Sequence, residues 1–265
     1  MKSIPQFILF SLSVLFSIPL VIHADTAVAA QPDKASIVQS PENRVVLLEL
    51  YTSEGCSSCP PADHFLSGLK HAGISSKQLI PLAFHVTYWD YIGWQDRFAD
   101  KAFDERQRLQ ARRNKQRTIY TPQFMMSGDD YRRYTSFEKD IAKAVRQAAA
   151  VDLTLSSSRK GNELELVLVT DSSRDKGADI GVYFAVVENN LSSAVEDGEN
   201  EGKTLHHDYV VRELHGPYLQ HRQNEQKTSL SVILKRGWKL KDLHIVAFAE
   251  DQRSGDILQA VRLKP

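Results

Sequence analysis

Residues 45–59, VVLLELYTSEGCSSC, set the main expectation for the fold of this chain. They begin as an almost continuous run of Val and Leu, which predicts a buried strand. A short polar turn follows and carries the only two cysteines of the sequence, Cys56 and Cys59. If Cys56 stands at the start of a helix, the helix dipole stabilises its thiolate and lowers the thiol pKa. The stretch therefore predicts a redox-active pair of cysteines on a strand–turn–helix unit.

The alternative for Cys56 and Cys59 is an inert structural disulfide. Exported proteins meet oxidising surroundings in which cysteine pairs often form such staples. A CxxC disulfide closes a very short loop, however, and the stabilisation from loop closure grows with loop length. Disulfide exchange between thiols is therefore the favoured interpretation of this pair.

Composition and the N-terminus indicate where the chain works. Its 33 basic and 33 acidic residues balance, so charge favours neither nucleic acid nor an anionic membrane surface as a partner. Lys2 and the apolar run over residues 7–22 predict a signal peptide over residues 1–24, with cleavage as late as residue 30. The run is too short to span a bilayer, and no later segment is apolar enough. We predict a periplasmic or secreted protein without stable membrane insertion, with a linker over residues 25–43.

Residues 44–150 read as alternating strands and helices, with a strand at 79–86 and helices on either side of it. This order predicts a parallel strand pair joined by a crossover helix. Pro122 is expected at the first residue of a strand, where a cis bond is possible, and a hairpin and a last helix follow. We therefore predict an α/β N-terminal domain that ends at residue 150.

Two further features of the first domain are candidates for binding. Tyr88, Trp89 and Trp94 belong to an aromatic connection that follows a strand end, where open α/β sheets place their sites. They line either a substrate cleft or the loop's own aromatic core. The arginine-rich helix over residues 99–117 reads as a solvated face or as a contact for an anionic substrate.

Residues 151–265 change to an alternating pattern with turns between short segments, which predicts an all-β sandwich-like C-terminal domain. Residues 189–203 are acidic and contain glycine, so they read as a mobile loop outside any site. His206 and His207 are neighbours on one strand and should point to opposite faces, which disfavours a shared metal ion. We assign no metal site and predict no cofactor.

Three segments, YTSEGCSSCPPAD at 51–63, AFHV to YWDYIGW between 83 and 94, and YTPQ at 120–123, resemble the DUF1223 family of exported bacterial proteins. The N-terminal part of that family is similar to the thioredoxin-like superfamily. The resemblance implies that Cys56 is the attacking thiol, Cys59 the resolving thiol and Pro122 a cis-proline packed against the disulfide. It also implies that Thr121 offers backbone groups to a bound peptide. Glu49 is the nearest match to a buried proton-transfer acid, and the alternative for it is a hydrogen-bonded strand-end carboxylate.

The leading hypothesis is a thiol–disulfide oxidoreductase of the cell envelope that acts on a protein or small-molecule thiol. A second hypothesis is a copper(I)-binding protein or metallochaperone, because thiolates near His64 or His85 suit copper. His85 at a strand end also reads as a hydrogen-bonded core residue. A third hypothesis is a non-enzymatic binding module with a structural disulfide.

Overall fold

Strands dominate the folded chain. The computed structural model describes residues 35–175, 177–220 and 225–265. Of these residues, 43% lie in strands and 21% in helices. The signal peptide and most of the linker that we predict lie outside the described residues. Among the described residues, no helix combines the length and the apolarity needed to cross a bilayer.

The described residues form fourteen strands and three α-helices, with short 3-10 turns between them. The strands are β1 (Ser36–Gln39), β2 (Val46–Thr52), β3 (Leu79–His85), β4 (Gln123–Met126), β5 (Asp129–Tyr131), β6 (Asp152–Lys160), β7 (Glu163–Asp171), β8 (Ile180–Glu188), β9 (Leu191–Ala194), β10 (Thr204–His207), β11 (Val210–Leu219), β12 (Glu225–Ile233), β13 (Leu243–Asp251) and β14 (Ile257–Leu263). The helices are α1 (Pro60–Gly68), α2 (Lys101–Arg113) and α3 (Phe137–Ala144).

These strands form three sheets. The largest has eight strands in the order β14-β13-β8-β11-β3-β2-β4-β5, with β3 parallel to both β2 and β11 and the other neighbours antiparallel. A four-stranded antiparallel sheet has the order β1-β6-β7-β12. A two-stranded antiparallel ribbon joins β9 and β10. Part of the predicted linker therefore forms a strand, since β1 pairs with β6.

The predicted fold class, an α/β thioredoxin-like N-terminal domain plus an all-β sandwich-like C-terminal domain, is wrong. The chain is mostly β-sheet and has few helices. The predicted first domain supplies only half of a mixed sheet, because β3 pairs with β11 through a 2.8 Å hydrogen bond from the Ala83 amide to the Tyr209 carbonyl. One sheet thus crosses the expected boundary near residue 150. The sequence reading took each half of the chain to complete its own sheet.

The middle strands β8 and β13 are buried on both faces and separate two layers of core. Because side chains alternate along a strand, Tyr183, Ala185 and Val187 enter one core and Val182, Phe184 and Val186 the other. The first core also holds residues of β2, β3 and α1, whereas the second is closed by the four-stranded sheet. The buried residues of the second core all come from the C-terminal half, whereas the first core combines residues of both halves, so the N-terminal half has no core of its own.

Several local predictions are confirmed. The apolar runs at 45–50 and 79–86 form β2 and β3, which are buried along their whole length. The Thr121–Pro122 peptide bond is cis, and Pro122 directly precedes β4. The alternating segments around Gly161 form the β6–β7 hairpin.

A buried ion-pair network under α2 ties the large sheet together. Arg106 donates from Nε to Glu49 Oε1 on β2 (2.8 Å), and its Nη2 lies 2.9 Å from Glu250 Oε2 on β13. Arg113 adds a second cation, 2.6 Å from Glu250 Oε1. Burial alone would lower the pKa of Arg106, but the two carboxylates raise it well above its usual value. Arg106 is therefore a buried charge, and the solvated-face interpretation of the arginine-rich helix is wrong for this residue.

We expect Arg106→Ala to destabilise the protein by about 3–5 kcal/mol, because it leaves two buried carboxylates without their shared cation. The measurement is the free energy of unfolding from urea denaturation. The matched control is Arg112→Ala, at an exposed position of the same helix, which should change that free energy by about 0.5 kcal/mol or less. Equal effects of the two substitutions would show that the network does not hold the sheet together.

Candidate functional site

The two cysteines form a disulfide where β2 leads into α1. Cys59 is the residue that precedes the first turn of α1, and Pro60 and Pro61 occupy that turn. Both cysteines are fully buried. Proline has no amide hydrogen, and the next two amides, of Ala62 and Asp63, donate to the Cys59 carbonyl. The start of α1 therefore has no free amide among its first four residues to donate to a cysteine sulfur.

The segment over residues 195–203, here called the cover, lies on the cysteine turn. Asn200 donates from Nδ2 to the carbonyls of Glu54 (2.8 Å) and Cys56 (3.0 Å). The Ser57 amide donates to Glu199 Oε2 at 2.9 Å. Two residues of the segment that we predicted to be a mobile loop outside any site, Glu199 and Asn200, thus contact the disulfide turn directly.

Five titratable side chains form a buried cluster around the same turn: Glu54, Asp63, His85, Asp96 and His207. His85 Nδ1 lies 2.6 Å from Asp96 Oδ2, which also accepts from the Glu54 amide at 2.9 Å. His207 Nε2 lies 3.2 Å from Glu54 Oε1, and its Nδ1 lies 3.7 Å from Asp63 Oδ1. The cluster joins β3, α1, β10 and the turn before Cys56.

Hydrogen bonds and charge pairs outweigh burial in setting the pKa values of this cluster. Burial would lower the pKa of His207, but Asp63 and Glu54 raise it to about 9. Burial would raise the pKa of Asp96, yet contact with His85 holds it below its usual value. The pKa of Glu54 is likewise lowered, since the hydrogen bond from His207 overcomes the effect of burial. Ionised carboxylates therefore lie directly beneath the cysteine turn.

Two of the three predicted aromatic residues reach the cysteine turn. Trp94 donates from Nε1 to Glu54 Oε2 at 2.8 Å. Trp89 donates from Nε1 to Thr121 Oγ1 at 2.7 Å, and its backbone and Cβ pack against Gly55 so closely that a Cβ there would lie 3.2 Å from Trp89 Cβ. Tyr88 turns instead to α2, where its hydroxyl donates to Gln107 Oε1 at 3.0 Å.

Glu49 lies in the Arg106 network, where its carboxylate is fully buried. Burial raises its pKa, against the lowering effect of Arg106. Its described hydrogen bond goes to α2 and not to the cysteine turn. A proton-transfer role for Glu49 stays a prediction, and Glu54 is the acid whose contacts lead to Cys56.

Sequence reasoning did not identify Glu54, Asp63 or Asn200 as parts of the site. Glu54 and Asp63 belong to the quoted cysteine segment, so their nearness to the disulfide was available from the sequence. Asn200 and His207 lie 146 and 153 residues after Glu54 in the sequence. Only the packing of the ribbon against α1 brings them to the cysteines.

Comparison with known proteins gives a family and two similar structures. A family model described as a protein of unknown function, DUF1223, matches residues 47–250. The chain belongs to the DUF1223 family. No curated protein matches this sequence.

Two solved structures share the fold of this DUF1223 protein. The X-ray structure of protein AGR_C_4864 from Agrobacterium tumefaciens is 24% identical, with a TM-score of 0.60, over 84% of this chain and 96% of that one. HBP35 of Porphyromonas gingivalis is 14% identical, with a TM-score of 0.65, over 85% of this chain and 76% of that one. At these identities the likeness concerns the fold alone.

We expect Asn200→Ala to raise the rate at which a small thiol or phosphine reduces the disulfide by about tenfold. Two side-chain hydrogen bonds hold the cover on the turn, each contributes about 0.5–1.5 kcal/mol, and about 1.4 kcal/mol corresponds to a factor of ten. The rate follows from thiol labelling against time. Glu201→Ala, at an exposed position of the same segment, is the matched control and should leave the rate unchanged. Equal rates for Asn200→Ala and wild type would mean that the cover does not control access.

Proposed function

We propose that this DUF1223 protein is an exported thiol–disulfide oxidoreductase that exchanges its Cys56–Cys59 disulfide with a protein or small-molecule thiol. One observation carries the proposal. The disulfide closes a loop with a sequence separation of only 3, at the start of a helix and next to a buried cluster of titratable groups. A disulfide in this position is better suited to exchange with a thiol than to stabilising the fold.

The structural-staple alternative has little physical basis at this position. Loop-closure stabilisation is small when so few residues separate the cysteines. The turn is already held by the pairing of β2 with β3 and β4 and by the hydrogen bonds from Asn200. Losing the disulfide would therefore free little additional chain, which favours exchange over a structural role.

The proposed reaction passes through a mixed disulfide. A partner thiolate attacks Cys56 Sγ, the Cys56–Cys59 bond breaks, and Cys59 leaves as a thiolate that takes up a proton. A second partner thiolate then attacks the partner's own sulfur and releases Cys56. The partner becomes a disulfide and the protein a dithiol. Run in reverse, the same steps reduce a partner disulfide at the expense of the dithiol.

The surroundings favour the disulfide form, so we propose that the dithiol acts as a reductant. The disulfide form of such a pair is a strong oxidant when the thiolate of the reduced form is stabilised. Here Pro60 and Pro61 remove two amides from the helix start, and the Ala62 and Asp63 amides are already bonded. Glu54 and Asp96, whose pKa values are lowered, outnumber the single cation of His207, so the cluster beside the turn adds negative charge, which opposes a thiolate.

Partner access requires the residues around the turn to move, because Cys56 and Cys59 are both buried, and Asn200 of the cover is bonded to the Cys56 carbonyl. The groups around the turn that then face a partner are Trp89, Trp94 and Thr121. Their proposed role is to hold an extended segment of the partner beside the disulfide. Copper(I) binding needs free thiols, and a binding module needs no thiol chemistry. The formation of a mixed disulfide by Cys59→Ser separates both alternatives from exchange.

We expect Cys59→Ser to form a stable mixed disulfide through Cys56 with oxidised glutathione and with a partner protein, because the resolving thiol is absent. Intact-mass measurement of the purified protein detects the adduct. Cys56→Ser is the matched control and should accumulate less adduct, since Cys59 is held in α1. If neither variant forms an adduct and the Cys56 thiol titrates near 8.5, exchange chemistry loses its basis.

We expect the reduction potential to lie nearer to about −270 mV than to about −120 mV, the values of a reducing and an oxidising member of this chemical class. Glu54→Gln should make the potential less negative, because it removes a charge that opposes the thiolate. Equilibration with glutathione buffers measures both values. Glu201→Gln, which removes an exposed charge from the cover, is the control. A wild-type potential near the oxidising value would contradict the proposed direction.

A further inference from the structure

We propose that Asp63, His85 and His207 form a binding site for a divalent transition-metal ion, with Zn²⁺ the best match to their ligand atoms. Two imidazole nitrogens and one carboxylate oxygen are a common donor set for zinc. The site uses neither cysteine, so it stands independently of the proposed thiol chemistry.

The three ligand atoms already lie close together. One atom from each side chain falls within 4.8 Å of the others, and His207 Nδ1 lies 3.7 Å from Asp63 Oδ1. The two imidazole rings meet edge to face, with centroids 4.9 Å apart. In a tetrahedral site with bonds of about 2.0–2.1 Å, ligand atoms lie roughly 3.3 Å apart. Small side-chain rotations would therefore bring all three onto one ion.

Two of the ligand atoms lack any other partner among the described residues. His85 Nε2 and His207 Nδ1 are both buried nitrogens without a hydrogen bond, and the charged group that faces His207 Nδ1, Asp63 Oδ1 at 3.7 Å, is the third ligand atom. The His85 side chain is 0% exposed and that of His207 2% exposed. Buried polar atoms are normally hydrogen-bonded, and an exception calls for an explanation such as an ion. A metal ion would satisfy both nitrogens at once.

Each of the three ligand side chains also makes a second contact, which orients its ligand atom toward the site. His85 Nδ1 contacts Asp96, and His207 Nε2 contacts Glu54. A carboxylate on the far nitrogen fixes the ring tautomer and leaves the near nitrogen free to bind metal. Asp63 Oδ2 accepts from Thr52 Oγ1 at 2.8 Å, which orients Oδ1 toward His207. This second layer of contacts is typical of metal sites in proteins.

A cleft of about 410 Å³ connects solvent with two of the three ligands. Asp63 and His207 line this cleft, together with His64, His71 and His206. Three protein ligands leave a fourth position of a tetrahedral ion, which a water molecule from the cleft can occupy. The charge also fits, because Glu54, Asp63 and Asp96 place three carboxylates around two imidazoles, and a dication offsets them.

The test is calorimetric titration of the chelator-treated, oxidised protein with Zn²⁺, together with elemental analysis after dialysis. We expect one equivalent of Zn²⁺ per chain and a higher melting temperature with the metal. His207→Gln should weaken binding at least 100-fold. His215→Gln is the matched control, because this histidine of β11 pairs with Glu213 outside the lining of the cleft and should leave binding unchanged.

Two further variants make the outcome decisive. Asp96→Asn keeps all three ligands but alters the contact to His85, and should weaken binding about 10–100-fold if the fold is retained. It decides the matter if His207→Gln does not fold. A Cys56→Ser, Cys59→Ser double variant should bind Zn²⁺ as the wild type does. Failure of the wild type to bind one equivalent, equal binding by wild type and Asp96→Asn, or loss of binding in the double cysteine variant would overturn the proposal.

Discussion

The buried cation of Arg106 is the constraint on which the arrangement of this protein depends. Its guanidinium, held by α2, meets one carboxylate from β2 and another from β13, and it lies over the rings of Tyr183 and Phe248. A buried charge is tolerated only when it is fully paired, so both strands have to be present in the same sheet. This requirement joins the two halves of the chain into one mixed sheet. The same joining carries β10 and the cover to the face on which β2 delivers the cysteines.

The disulfide and the proposed metal site share a boundary at Glu54. Its carbonyl is bound by Asn200 of the cover, one carboxylate oxygen is bound by Trp94, and the other contacts His207. Glu54 thus lies between the thiol chemistry on one side and the histidine cluster on the other. A change in charge at the disulfide or at the histidine cluster should alter the electrostatic energy of the other, because the groups between them are buried and poorly screened. The two proposals nevertheless use different atoms and have separate tests.

The environment of the disulfide explains why a familiar motif need not bring a familiar activity. A CxxC pair at a helix start is usually associated with amides and a dipole that stabilise a thiolate. Here two prolines remove amides, the remaining early amides serve Cys59, and three carboxylates lie below. These features set the balance between thiolate and disulfide, and none of them is part of the motif.

The sequence by itself determined the local elements: the apolar runs that form β2 and β3, the place of Pro122 at the start of a strand, the β6–β7 hairpin and the position of the cysteines. These follow from side-chain periodicity and from the restricted backbone of proline, which act over a few residues. The sequence also contains a pattern that we did not use: residues 180–188 are mostly apolar without alternation, which indicates a strand buried on both faces. Tertiary structure alone decided that β3 pairs with β11, that Arg106 is buried, and that Asn200 and His207 reach the disulfide turn. The pairing of distant strands depends on which strand edges must be hydrogen-bonded and which buried charges must be paired at the same time. The local sequence pattern contains no information about that combination.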